Sequence, residues 1–242
     1  MKPLQEGTGS VTVLAVHGIQ GTAASWLPVA RALKDQAHFV MPNLRGRADA
    51  VRGQGADDYR LPCFAQDLAA AIDEHIGTQP YYLAGWSLGV SIALEYLGGS
   101  GHAIHPPRGL ILLSGSPRLC RTRWFAGHDT EALKSEAAQR VQVLGMKEAA
   151  DPQAAAWTWQ AICNTDQSAL LARIRVPTLV IHGTEDADSP FLHGLWLARG
   201  IAQASMHPIE GVGHGLPSGA TAEVAAAIRQ FIAQREHTQE TQ

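Results

Sequence analysis

Residues 80–97 constrain this chain more than any other stretch. Pro80-Tyr-Tyr-Leu-Ala84 is short, aromatic and apolar, and predicts a buried strand. Val90-Ser-Ile-Ala-Leu-Glu-Tyr-Leu97 predicts a helix, and Gly85-Trp86-Ser87-Leu88-Gly89 lies between them. A strand that becomes a helix through so tight a turn needs residues without bulk beside its apex. Glycine stands two residues before Ser87 and two after it. Such a turn lifts the Ser87 hydroxyl above a sheet edge and turns the free N–H groups of the helix's first turn toward it. Gly-x-Ser-x-Gly carries meaning only in this context, where it marks a serine placed as a nucleophile.

The rest of the chain repeats the alternation. Predicted strands are Ser10–Val16, His38–Met41, Gly109–Leu113, Val176–His182 and Ala204–Ile209. Predicted helices run from about Ala24 to Leu33, Cys63 to Ile76, Pro190 to Gly200 and Thr221 to Gln234. Strands alternating with helices predict a mostly parallel, doubly wound α/β sheet of six strands, or seven if Lys2–Gln5 adds an edge. Gly98-Gly-Ser-Gly101 is expected to stop the helix after Ser87, and the polar tail from Arg235 to Gln242 is expected to fray. From Ser116 to about Arg173 the texture changes to helix formers with scattered tryptophans and no convincing strand. Residues 117–173 therefore read as an inserted helical cap, and 1–116 with 174–242 as the core that carries it.

Composition removes other classes. Net charge is −3 with no long run of one sign, which argues against a nucleic-acid surface. No apolar run is long enough for a membrane span, and the first residues lack a hydrophobic signal core. Three widely spaced cysteines, Cys63, Cys120 and Cys163, match no zinc pattern and read as free thiols of a reducing compartment. The expectation is a cytoplasmic monomer or small homo-oligomer without a metal or organic cofactor.

A serine nucleophile needs a base, an acid that holds the base, and donors for a developing oxyanion. Of eleven histidines, His214 stands out: Glu210-Gly-Val-Gly-His-Gly-Leu-Pro217 follows the last strand, at the sheet edge where Ser87 emerges. His38, His182 and His207 lie in or at the ends of strands, His75 on a helix, and His102, His105 and His237 in surface segments. For the acid, Gly183-Thr-Glu-Asp-Ala-Asp-Ser-Pro190 offers Glu185, Asp186 and Asp188. Asp186 is favoured and Asp188 is the alternative; Asp188 or Ser189 before Pro190 also suits a helix N-cap. Candidate oxyanion donors are the backbone N–H groups of Leu88 and Ile19, the latter in the His17-Gly18-Ile19 turn. His17 is a candidate substrate contact or a pin for that turn. Trp86 and Trp124 are candidate pocket walls. Arg118, Arg121 and Arg123 are candidate contacts for an anionic group, or a solvated, salt-bridged face.

In the order Ser87, Asp186, His214, with His-Gly-Ile, Gly-Trp-Ser-Leu-Gly, Gly-Thr-Glu-Asp and Gly-His following one another along the chain, these motifs resemble the α/β-hydrolase superfamily. The likeness spans about Val11 to Ile232, excluding the cap. The Gly-Trp-Ser-Leu-Gly elbow is similar to that of small capped carboxylesterases, among them the pimeloyl-carrier-protein methyl ester esterases of biotin synthesis. Two positions depart from the pattern: Val90 stands where a further glycine is usual, and Asn43-Leu-Arg-Gly-Arg-Ala-Asp-Ala replaces Asp-x-x-Gly-x-Gly-x-Ser. The resemblance implies a serine carboxylic ester hydrolase that forms an acyl-enzyme on a small or medium ester, including an acidic or carrier-bound one. Carbon–carbon bond hydrolysis, acyl transfer and perhydrolysis use the same three residues. A small-molecule receptor of the same fold is the reading from another class.

Overall fold

The computed structural model describes residues 2–99 and 105–240. Part of the expected helix stop, Ser100–Gly101, lies outside the described residues, as do His102 and the last two residues of the tail. In chain order the elements are β1 (Leu4–Glu6), β2 (Val11–Val16), α1 (Leu27–Ala32), β3 (Ala37–Met41), α2 (Leu61–His75), β4 (Tyr81–Trp86), α3 (Leu88–Gly98) and β5 (Gly109–Leu113). Then come α4 (Thr130–Val143), α5 (Pro152–Ile162), α6 (Ser168–Leu171), β6 (Thr178–Gly183), α7 (Phe191–Gly200), β7 (Ala204–Ile209), α8 (Leu216–Gly219) and α9 (Thr221–Glu240).

The strands form one sheet in the order β1-β3-β2-β4-β5-β6-β7. All neighbours run parallel except β1, which pairs antiparallel with β3 and supplies the seventh strand. The central strands are apolar on both sides because both faces are covered. In β2, Leu14 and Val16 join the core under α2, α3 and α7, while Val13 and Ala15 join the core under α1 and α9. The chain steps from β2 outward to β3 and returns to β4 on the other side of β2. That reversal opens a crevice at the carboxyl ends of β2 and β4, where open α/β sheets place their ligands.

Val90, the departure noted after the elbow, fits because its neighbour is small. A Cβ on Gly115 would lie 2.3 Å from the Val90 Cβ. The expected fraying at Arg235 is corrected, since α9 runs to Glu240. Glu236 accepts hydrogen bonds from the Tyr82 hydroxyl at 2.7 Å and from Arg108 at 2.8 Å, which tie the polar end of the helix to the sheet. Composition alone does not reveal such anchors.

Between β5 and β6, α4 and α5 pack against each other and begin at aspartate caps. Asp129 accepts from the Ala132 N–H, and Asp151 from those of Gln153 and Ala154, with Pro152 in the first helical turn. Trp124, Phe125, Leu133 and Trp159 of this segment continue the core that lies under α2 and α3. Among the described residues, no helix is long and apolar enough to cross a membrane, and no group of three or more His, Cys, Asp or Glu could hold a metal ion.

Candidate active site

Ser87 sits at the apex of the turn between β4 and α3 with φ +56° and ψ −114°, a conformation that side chains other than glycine rarely adopt. The strain persists because its surroundings fix it. The Ser87 N–H donates to Leu113 O at 2.9 Å, and Val90 N–H donates to Ser87 O at 3.0 Å. The two glycines are required by space. A Cβ on Gly85 would lie 2.4 Å from Gly89 O, and one on Gly89 would lie 2.4 Å from Val16 O.

Two loops from the other side of the sheet converge on this serine. His214, in the loop after β7, places Nε2 2.8 Å from Ser87 Oγ. Its Nδ1 lies 2.9 Å from Asp186 Oδ2 and 3.1 Å from Oδ1. A carboxylate accepts, so Nδ1 carries the hydrogen and Nε2 is left to accept from the Ser87 hydroxyl. Trp86 supports the same loop: its indole N–H donates to the His214 carbonyl at 3.0 Å, and its ring lies 5.8 Å from the imidazole.

Asp186 joins His214 to the turn that leads into α7. Its Oδ1 accepts the N–H groups of Asp188 at 3.0 Å and Ser189 at 2.8 Å while its carboxylate holds His214. The reading of Asp188 or Ser189 as a helix N-cap is corrected. Neither Asp188 nor Ser189 caps α7, which starts at Phe191 with Pro190 at the cap position and no side-chain cap; Asp188 instead lines the cavity beside Ser87. Burial alone would raise the Asp186 pKa. Hydrogen bonds from His182 and His214, the charge of His214 and the Ser189 N–H outweigh burial and hold the carboxyl well below the usual carboxylate range. The sequence reading missed His182. It is fully buried, its Nε2 lies 2.7 Å from Ser189 O, and the same nitrogen lies 3.4 Å from Asp186 Oδ2. Its place one residue before the end of β6 and four before Asp186 was the available signal.

The loop after β2 is built differently. His17 is fully buried. Its Nδ1 lies 2.9 Å from Gly18 O, and the Leu44 N–H lies 3.2 Å from its Nε2. The carbonyl can only accept and the amide can only donate, so the ring is neutral with its hydrogen on Nδ1. Burial and the nearby Arg47 cation push its pKa down to about 3. His17 thus pins the turn and lines no part of the cavity. Its bond orients the Gly18–Ile19 peptide, and in a planar trans peptide the Ile19 N–H points opposite to the Gly18 carbonyl. Arg47 is also fully buried and donates to Ile19 O and Arg45 O, with Thr158 Oγ1 at 3.5 Å. The Leu88 N–H opens α3 directly after Ser87.

A cavity of about 410 Å³ opens over Ser87 and His214. Trp86 and Trp124 both line it, together with Ile19, Leu144 and Met146. Trp124 donates its indole N–H to Ser189 Oγ at 3.2 Å. The expected arginines do not reach the cavity. Arg118 spends its guanidinium on Ser168 at 2.8 Å and on Asp166 at 3.6 Å, stacked over Trp196. Arg121 ends a short 3-10 turn and is exposed, as is Arg123. The cation in the cavity wall is Arg140 of α4, which that reading did not single out.

The chain belongs to the alpha/beta hydrolase family, whose model matches residues 13–227. It is 27% identical over 220 residues to the AB hydrolase superfamily protein YisY of Bacillus subtilis, covering 80% of each chain. It is 26% identical over 192 residues to a pimeloyl-[acyl-carrier protein] methyl ester esterase of Chromobacterium violaceum, covering 67% of this chain and 73% of that one. In structure it is similar to an esterase from Exiguobacterium antarcticum, with a TM-score of 0.80, 19% identity, and coverage of 95% of this chain and 94% of that one.

Proposed function

We propose that the protein hydrolyses carboxylic esters through an acyl-enzyme formed on Ser87. The observation that carries this reading is the hydrogen-bonded series from Ser87 Oγ to His214 Nε2 at 2.8 Å and from His214 Nδ1 to Asp186 at 2.9 Å. Ser87 Oγ attacks the ester carbonyl while His214 Nε2 takes its proton. The N–H groups of Ile19 and Leu88 stabilise the oxyanion. His214 returns the proton to the departing alcohol, and the C–O bond breaks. Water then attacks the acyl carbon, gives a proton to His214, and releases the acid and the Ser87 hydroxyl. Asp186 stays ionised throughout and fixes the imidazole tautomer. Every proton has a side-chain carrier, so the scheme calls for no cofactor.

Residues 117–173 act in this reading as a cap that closes the cavity, with Trp86 and Trp124 as walls for the substrate. The ester activity named for the Chromobacterium relative supports the reaction class. Ser87→Ala is expected to lower kcat for short p-nitrophenyl esters by roughly 10⁴–10⁶-fold with an unchanged circular dichroism spectrum. Turnover by the variant close to that of the wild type would remove Ser87 as the nucleophile.

A further inference from the structure

The charges around the cavity point to what it accepts. Among the described residues that line it, Arg140 is the one arginine or lysine, and it faces carboxylates on both sides. Its Nε lies 3.5 Å from Glu136 Oε1, one turn back on α4, and its Nη1 lies 4.0 Å from Asp188 Oδ1 across the cavity wall. Its guanidinium also lies over the Phe125 ring at 5.0 Å. Glu136 is held in place, since its Oε2 accepts the N–H groups of Ala126 and Gly127 at 2.8 and 3.0 Å. The ionised Asp186 lies just behind His214. One cation therefore stands between two carboxylates, Glu136 and Asp188, with Asp186 buried apart from it. Lys147 and Glu148, of opposite sign, are exposed on the strap after α4 and add no net charge.

A substrate carboxylate entering this cavity would find its attraction to Arg140 already spent, and would meet a net negative field in a partly water-excluded space. The remaining walls carry no further charge beyond the catalytic candidates: Ile19, Trp86, Trp124, Leu144 and Met146 are apolar, and Gln20, Ser25 and Ser218 are neutral. At roughly 30 Å³ per water-sized group, 410 Å³ holds about a dozen such groups.

We propose that the cavity selects esters that are uncharged over the part it encloses, and that Asp188 sets this choice by cancelling Arg140. The proposal rests on the ester-hydrolase reading. It also gives a role to the carboxylate that the sequence offered as a second candidate acid. Asp188 is suited to the task because its backbone N–H, not its side chain, is what Asp186 holds. Its carboxylate can therefore change without opening the turn.

The test compares p-nitrophenyl hexanoate with the p-nitrophenyl half-ester of adipic acid, which have the same chain length and differ in a terminal carboxylate. The neutral ester is expected to have a kcat/KM roughly tenfold higher, the size of effect one unit charge exerts across a partly wet site. Asp188→Asn is expected to shift that ratio about tenfold toward the half-ester, and Arg140→Gln to shift it the other way. The ratio is read a second time as the rate at which Ser87 is labelled by two phosphonates, one with a pentyl chain and one with an ω-carboxybutyl chain. Equal rates for the two charges, or a ratio that Asp188→Asn leaves in place, would overturn the charge filter. Labelling that prefers the pentyl phosphonate, with neither ester hydrolysed, would sink ester hydrolysis while supporting the filter. Reaction with neither probe would sink both.

Discussion

Ser87 is approached by two loops of opposite construction. The loop after β2, from His17 to Ala23, is buried at nearly every position, whereas the loop after β7 that carries His214 is exposed or half-buried from Glu210 to Gly215. The first is fastened from several directions. His17 holds Gly18 O, Arg47 holds Ile19 O, and Gln20 bonds α4 through Ala137 O at 2.8 Å and accepts from Ala150 N at 2.9 Å. The second is tied, among the described residues, only to the neighbouring turn after β6, where Val212 O accepts from the Glu185 N–H and Thr184 Oγ1 accepts from the Gly211 N–H, both at 3.0 Å, while Asp186 and Trp86 grip His214 itself. The contrast matches the work each would do. An oxyanion donor acts by standing still, because electrostatic stabilisation is strongest when nothing has to reorganise. A base that serves first a hydroxyl and then a water needs a fixed tautomer and an open path to solvent.

The sharpest way to break that contrast is at the base. Asp186→Asn retains an oxygen that can accept the Asp188 and Ser189 N–H groups, so the turn should persist. It no longer selects the tautomer in which His214 Nε2 accepts from Ser87. A fall in kcat on the order of 10⁴-fold is expected, with a melting temperature close to that of the wild type. If the rate fell by less than about tenfold, the exposed loop would be holding its imidazole by something other than the carboxylate.

The two loops also differ in how far the sequence disclosed them. Ser87, His214 and Asp186 could be read because each sits in a local pattern set by strand ends: the glycine-flanked apex, the glycine-rich loop after the last strand, and the acidic turn after β6. The parallel order of the other six strands follows from alternation, and the helices of residues 117–173 from the break in it; the antiparallel edge strand β1, with no helix between it and β2, was open in the sequence. Arg140 could not be read. It lies on α4, a polar helix with little amphipathic pattern, and only tertiary packing turns it toward the cavity. The cluster Arg118, Arg121 and Arg123 looked suitable because it opens the insertion. A 3-10 turn of three residues, however, directs side chains by its own geometry, and that geometry sends these to Asp166 and to solvent. Arg47 looked like part of a loop rich in arginine and glycine, and nothing local marks it as fully buried.

Arg47 offers the next test, of intermediate size. Among the described residues it has no carboxylate within ion-pair distance. Burial pushes its pKa down to about 10, and its Nε has no partner. A buried cation without a counter-ion is a poor source of stability, so its value lies in the groups it ties together: Ile19 O, Arg45 O and Thr158 of α5. Arg47→Met removes the charge along with the ties. The melting temperature should change little, since desolvation relief offsets the lost hydrogen bonds, whereas kcat should fall by roughly 10²-fold as the Ile19 segment loosens. Arg47→Lys should recover part of the rate, because an ammonium keeps the charge but lacks the fork that spans three acceptors. An unchanged kcat in both variants would show that His17 and Gln20 hold the loop without help.

The smallest expected effect concerns acid stability, and it separates the loops without reference to turnover. The folded-state pKa of His17 is lowered to about 3, while an unfolded histidine titrates near 6.5. The group therefore contributes stability fully above pH 6.5 and loses it as pH falls from there toward 3, because the unfolded chain takes up the proton first. The loss approaches about 1.4 kcal/mol per pH unit in that window. His193, lowered to about 4 by burial and by His182, titrates the same way in wild type and variant and drops out of the comparison. In His17→Gln the side chain can still donate to Gly18 O but does not titrate. Its melting temperature should start lower at pH 7.5 and fall less steeply than that of the wild type between pH 6.5 and 4.5. Parallel curves would mean that the buried loop opens enough to hydrate its histidine, and that it is no more rigid than the exposed loop across the site.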